Sequence, residues 1–267
     1  MSIATYKREL WEEAIIEEYA NISIADMITA QPSDMNGTCA IYNRSNLTNG
    51  LQDYTGADIN FEEINTVEVK LFFDTAKYFA YQMKDLDRVQ AVNGGALMLK
   101  TARDMAQAIK DCVDTAVLAE AVAGAKAENK VNDAALTVEG VYNDIVALGT
   151  KLDECNVPVV GRYVIARPEF INMLALDKRV VDNAVVLPNG VVQGMQINGM
   201  QVIKSNLVPE GKVIAMNAEA VGYGKQIDEL EAIRVEKNFA DAIKGLVNFG
   251  VKTLRPEAIA VLTYTIA

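Results

Sequence analysis

Apolar residues recur every three to four positions over 87–128, with Val89, Val92, Ala96, Leu99, Ala102, Ala106, Ile109, Val113 and Ala116 on one stripe that Glu120 continues. That spacing, rich in alanine and free of proline, predicts one long helix. Asp85 or Asp87 can cap its start, where acidic groups suit the helix dipole, and Gly124 is a candidate stop. Gly94 and Gly95 each cost the helix about 1 kcal/mol against alanine. At ~1.5 Å per residue the helix would run about 50–60 Å, well beyond the usual helix of a globular domain.

Alternation with a period of two marks the strands. Thr38–Tyr42 follows an Asn36-Gly37 turn signal, and Thr66–Phe73 and Tyr78–Tyr81 return after a polar, glycine-containing run from Arg44 to Asp58. A long loop without its own core is uncommon inside a compact domain and usually functional. It predicts a protruding two-stranded arm that a partner covers.

Residues 129–137 read as a polar connector. Thr137 then opens a helix over 138–155 with Val141, Ile145, Leu148 and Leu152 as its stripe, and Pro158 bars its continuation. A strand at Tyr163–Ala166 and a short helix through Leu176 follow. The pairs Asn189-Gly190 and Asn198-Gly199, set between apolar runs, predict hairpins. Val213–Met216 is a buried strand, and Glu219–Gly224 reads as a turn region. Leu230–Glu236, Gly245–Lys252 and Ile259–Tyr264 complete the strands. Near the start, Leu10, Trp11, Ala14, Ile15 and Tyr19 predict an amphipathic helix whose Trp11 anchors an arm, on its own core or on a neighbouring subunit.

Composition narrows the chemistry. Of 267 residues, 51% are hydrophobic and 23% charged, enough for a substantial core. The net charge of -11 and the lack of any basic block beyond pairs such as Lys178-Arg179 argue against gripping a nucleic-acid backbone. Cys39, Cys112 and Cys155 form neither a disulfide framework nor a zinc signature. No leader-like segment opens the chain and no window is apolar enough for a membrane helix. With no histidine present, histidine-based nucleophilic triads and the commonest metal ligand are excluded. Gly222-Tyr223-Gly224 lacks the third glycine and the following helix of a phosphate loop. The pairs Glu12-Glu13, Glu17-Glu18, Glu62-Glu63 and Asp153-Glu154 fall on polar faces or loops and read as solvated surface. No catalytic residue, metal ligand or cofactor is expected.

Several stretches carry a resemblance. They are Tyr6-Lys7-Arg8-Glu9-Leu10-Trp11, then Lys77-Tyr78-Phe79-Ala80-Tyr81-Gln82-Met83-Lys84-Asp85-Leu86-Asp87. Tyr163-Val164-Ile165-Ala166-Arg167-Pro168-Glu169-Phe170 is a third. Phe239-Ala240-Asp241-Ala242-Ile243-Lys244-Gly245-Leu246 with Arg255-Pro256-Glu257-Ala258 is the last. In this order, over nearly the whole chain, they resemble the major capsid (coat) proteins of tailed bacteriophages with the Hong Kong 97-type fold.

The resemblance implies an α+β fold with an N-terminal arm (1–35), an extended β loop with its flanking strands (36–85) and a long spine helix (86–130). An inserted α/β axial lobe (131–227) and a return to peripheral β strands (228–267) complete it. It further implies a non-enzymatic subunit that self-assembles into pentamers and hexamers. These would form an icosahedral virion head, made in the bacterial host cytoplasm and enclosing double-stranded DNA without sequence-specific contact or a membrane. The loop over 43–65 would lie on a neighbouring subunit. Some members weld their shells through a loop lysine. Residues 43–65 hold none, and Arg44 cannot act as the amine, so an uncrosslinked shell is expected. A separate scaffolding protein and a portal are the expected partners. An encapsulin-like compartment shell, a phage tail or decoration protein, and a small α/β enzyme using 138–225 are the rival readings.

Overall fold

Three strands carry almost nothing but apolar side chains, and the fold buries all three on both faces, as such runs require. The structure is a computed structural model describing residues 23–30, 32, 34–46, 65–84, 94–177, 179, 185–186, 190–235 and 239–266. In chain order its elements are α1 (Ala25–Ile28), β1 (Asp34–Asn36), β2 (Cys39–Asn46), β3 (Asn65–Phe72), β4 (Thr75–Lys84) and the long helix α2 (Gly94–Gly124). Then come β5 (Lys130–Leu136), α3 (Val138–Glu154), β6 (Arg162–Ala166), α4 (Pro168–Ala175), β7 (Val185–Val186), β8 (Val191–Ile197) and β9 (Met200–Lys204). The chain closes with β10 (Lys212–Asn217), β11 (Val221–Arg234), β12 (Ala240–Thr253) and β13 (Ile259–Ile266).

The apolar runs are β6, β10 and β13. They sit adjacent in a seven-stranded mixed sheet of order β5-β13-β10-β6-β9-β8-β7. Helix α3 lays its stripe of Val141, Ile145, Leu148 and Leu152 into the core, and α4 adds Phe170 and Leu174. Asn198 and Gly199 both take positive φ in the turn between β8 and β9, as the Asn-Gly signal predicts. A second sheet, β11-β12-β4, is a long antiparallel ribbon flanked by one edge strand. A third, β1-β2-β3, is the stem of the expected loop. Residues 47–64 of that loop, residues 1–22 of the arm with Trp11, and residues 85–93 with both candidate caps of the long helix lie outside the described residues.

Four differences from the sequence expectation have clear physical causes. The polar connector at 129–137 contains β5, a strand because it pairs in parallel with β13 at the sheet edge, where its polar side chains reach water. The turn region at Glu219–Gly224 is mostly strand, since β11 starts at Val221. The long helix stops at Gly124 and does not run to 128; beside it Thr253 occupies the space a side chain there would fill. Finally, β13 leaves the 228–267 segment and enters the seven-stranded sheet between β5 and β10, because Ile259–Leu262 are buried throughout and need neighbours on both sides.

Thr137 caps α3 by accepting a hydrogen bond from the Gly140 amide at 3.1 Å. Thr137→Ala is expected to lower stability by ~1 kcal/mol, the usual worth of such a cap, read as a shift in the denaturant midpoint.

Candidate interaction surfaces

The base of the β11–β12 ribbon has both faces occupied. One face presents Val221, Tyr223, Val247 and Phe249 to the main core, where they are buried. The other presents glycine. Gly224 pairs directly with Gly250 across the ribbon, and Gly222 lies two residues earlier on the same face. The loop stem docks there. A methyl group on Gly224 would sit 2.8 Å from the Phe73 ring and 3.3 Å from the Ala40 methyl. One on Gly222 would sit 2.8 Å from the Tyr42 ring, and one on Gly250 would collide with the Phe72 carbonyl oxygen. Ala40, Tyr42 and Leu71 form the small cluster buried by this contact.

Tyr42 ties three segments together. Its hydroxyl is 3.1 Å from the Ala30 carbonyl and 3.1 Å from the Tyr223 carbonyl, so one O–H is shared between the N-terminal segment and the ribbon. Burial pushes this phenol up to about 12, so it stays a donor at any ordinary pH. Ala30 also forms an isolated parallel bridge to Gly222, its amide donating to the Val221 carbonyl at 2.9 Å.

The same N-terminal segment is fixed to the long helix. Ile24 and Ile28 enter the main core, each worth roughly 1.5–3 kcal/mol of burial. Asp114, on α2 between Val113 and Val117, is 1% exposed. Its carboxylate accepts from the Ala25 amide at 3.1 Å, and from the Ile24 amide and the Ser23 hydroxyl at 3.5 Å. Burial is the main influence on this group and pushes it up to about 6, against the opposing pull of the Ala25 amide. Nearer the C-terminal end of α2, the Glu120 carboxylate accepts from the Thr253 amide and hydroxyl at 3.1 and 3.0 Å.

Away from this joint the surface is unusually apolar. Tyr78 is 83% exposed and lies opposite the partly exposed Leu246, while Phe239 is 85% exposed. Phe72, Tyr81 and Ile233 are also exposed. Strand β4 closes one side of its sheet with no strand beyond it among the described residues. Open edges and exposed aromatic groups are features a soluble monomer normally suppresses, and they mark contact surfaces.

A second apolar point is the loop 157–161. Arg162, itself buried, donates to the carbonyls of Val157 and Pro158 and pairs with Asp153 at 2.7 Å. The Asn217 amide donates to the Pro158 and Val160 carbonyls. The loop is therefore rigid while Val160 stands 89% exposed.

Of the four carboxylate pairs, only Asp153-Glu154 lies among the described residues, and both members make ion pairs, with Arg162 and Lys151. Among the described residues no cluster of three or more Cys, Asp or Glu side chains could hold a metal. Tyr42 and the glycine face escape a sequence reading because Gly222-Tyr223-Gly224 looks like a turn; its signal is glycine recurring at alternate positions of a strand. Asp114 carries no such signal: it lies off the stripe of the long helix, with Asp111 one turn away, and reads as one more solvated carboxylate.

A model of the family described as phage capsid protein matches residues 68–262. Among solved structures the chain is similar to one from Mycobacterium phage Che8, with 21% identity, 85% of each chain covered and a TM-score of 0.60. It is similar to the capsid of cyanophage P-SCSP1u, at 14% identity, 92% of this chain and 89% of that one covered, and a TM-score of 0.68. It is also similar to the SrpI encapsulin complex of Synechococcus elongatus, at 13% identity, 91% of this chain and 88% of that one covered, and a TM-score of 0.60. At these identities the likeness is one of fold. No curated protein matches the chain in sequence.

With the Phe72 carbonyl so close to Gly250, Gly250→Val is expected to destabilise the chain by at least ~2 kcal/mol, through overpacking that backbone cannot relieve. Urea unfolding followed by circular dichroism checks this.

Proposed function

The chain belongs to the phage capsid protein family and has the Hong Kong 97-type fold; on that premise we propose that it is the major capsid protein of a tailed phage. Copies of it would assemble through pentamers and hexamers into the icosahedral head. The match of the family model over residues 68–262 carries this reading. Its physical support is the surplus of exposed apolar surface on the β11-β12-β4 sheet, which burial between copies would stabilise.

In this reading the axial lobe, about residues 131–227, surrounds the capsomer axis through its seven-stranded sheet, which β13 joins. The long helix, the ribbon and β4 form the peripheral belt between capsomers. The stem β2–β3 aims the loop at a neighbouring copy, and residues 1–35 tie copies together. The subunit acts by geometry and not by catalysis. A separate scaffolding protein and a portal complete assembly, which takes place in the host cytoplasm. The net charge of -11 suits a wall that confines DNA without holding it.

The encapsulin likeness supports a second use of the same fold, a shell around a cargo protein. The two part on contents: a phage head assembled in infected cells encloses DNA, whereas an encapsulin shell co-purifies a cargo enzyme.

Electron microscopy of the purified chain, alone and with the proteins encoded beside it, is expected to show closed shells or capsomer rings. A monodisperse monomer under every condition would overturn the proposal. With no lysine in residues 43–65, boiled shells should run as a single monomer band on a denaturing gel; a ladder of multimers would show a covalent weld. Tyr78→Glu places a charge on the exposed face of β4. It should leave the subunit folded and cut the yield of shells at least tenfold by sedimentation, because an unpaired buried charge in the contact costs several kcal/mol.

A further inference from the structure

The segment 23–30 is held on the long helix by an arrangement that contains an ionisable group at its centre. Asp114 lies near the middle of the described length of α2 and is shut away from water. Among the described residues, the hydrogen bonds it accepts come from the docking segment: the Ser23 hydroxyl, the Ile24 amide and the Ala25 amide. Undocking the segment would therefore expose this carboxyl and remove all of those donors together. Docking and ionisation of Asp114 are linked through one contact.

The surrounding charges offset its burial only in part, since Lys110 favours the ionised form and Asp111 opposes it. Lys110 and Asp111, one turn back on the same helix, stand 3.9 Å from each other. Across the contact, Asp26 of α1 pairs with Lys225 of β11 at 3.3 Å. Among the described residues no cation lies within ion-pair distance of Asp114. A buried carboxylate held only by two backbone amides and a hydroxyl is charged at the expense of its desolvation.

We propose that Asp114 makes the attachment of residues 23–30 to the long helix proton-dependent, a latch that tightens as the pH falls and loosens as Asp114 ionises. The direction follows from linkage. In the docked state burial raises this carboxyl to about 6, whereas an exposed aspartate titrates near about 4. The docked state thus binds the proton more tightly, and acid favours it. The gain begins as the pH falls through about 6, grows by up to tenfold in the docked-to-undocked ratio per pH unit, and is complete near about 4. Above about 6 both states are ionised and the ratio is constant. At neutral pH the apolar contacts of Ile24 and Ile28 still hold the segment, at the looser setting. The latch thereby sets how firmly residues 23–30 are held on the long helix. It would operate in the isolated subunit, so it stands or falls independently of shell formation.

The test is amide exchange on the unassembled full-length chain between pH 4 and 8, converted to protection factors. The peptide covering 23–30 is read against the strand 212–217 as internal reference. Relative protection is expected to be flat from pH 8 to 6 and to rise on further acidification, approaching tenfold per unit. Asp114→Asn should abolish this slope, while Asp111→Asn, which removes a neighbouring charge without touching the segment, should retain it. A flat wild-type profile, protection that falls with acid, or an unchanged slope in Asp114→Asn would each overturn the proposal. If Asp114→Asn does not fold, the wild-type series and Asp111→Asn decide the matter alone.

Discussion

The contact on which the other parts depend is the seating of the loop stem on bare ribbon backbone. At its base the β11–β12 ribbon has apolar side chains on one face and Gly222, Gly224 and Gly250, beside Lys252, on the other. That asymmetry lets the ribbon belong to the main core and still accept a second sheet against its back. The Phe72 carbonyl could not approach the ribbon this closely past any Cβ at Gly250. Once the stem is seated, Tyr42 reaches both the ribbon and the N-terminal segment, and the Lys252 ammonium donates to the Lys70 carbonyl at 3.1 Å. Three stretches distant in sequence thus meet at one joint. The long helix is fixed to the same ribbon through Glu120 and Thr253, so the stem β2–β3 is set relative to the helix.

A subunit organised this way is incomplete by itself. Its main core is extensive, yet Tyr78 and Tyr81 of its ribbon sheet, and Phe239 beside it, stand exposed. In a monomer such groups would be an aggregation hazard. In the proposed shell they would be the means of closure, since each copy would offer the same surface to its neighbours. The negative charge works in the opposite sense. Acidic copies repel at a distance, which disfavours indiscriminate association and leaves close, apolar contacts to decide which copies stay together.

Much of the architecture was legible in the order of residues. The stripe on α3 was, because one helical face is buried and its period follows from 3.6 residues per turn. So were its Thr137 cap and the Asn198-Gly199 turn, both consequences of local stereochemistry. The strands β6, β10 and β13 announced themselves as apolar runs, and the long helix as an uninterrupted pattern. The exposed aromatic groups of β4 were visible as residues, although nothing in their spacing said that they would stay in water.

What the chain order could not supply is which surfaces meet. Strand β5 is a strand only because β13 pairs with it, and β13 sits in the middle of the seven-stranded sheet only because its neighbours are two other buried strands. Gly222 and Gly224 looked like a turn until the stem was found against them. Asp114 looked like one more polar residue until the segment 23–25 was found to supply its donors. The sequence by itself determined the local elements, the absence of histidine chemistry and the acidic balance, because propensity, period and composition act over a few residues or over the sum of them. Only the tertiary structure decided the sheet order, the glycine joint and the buried carboxylate, because each is a property of two segments far apart in the chain and close in space.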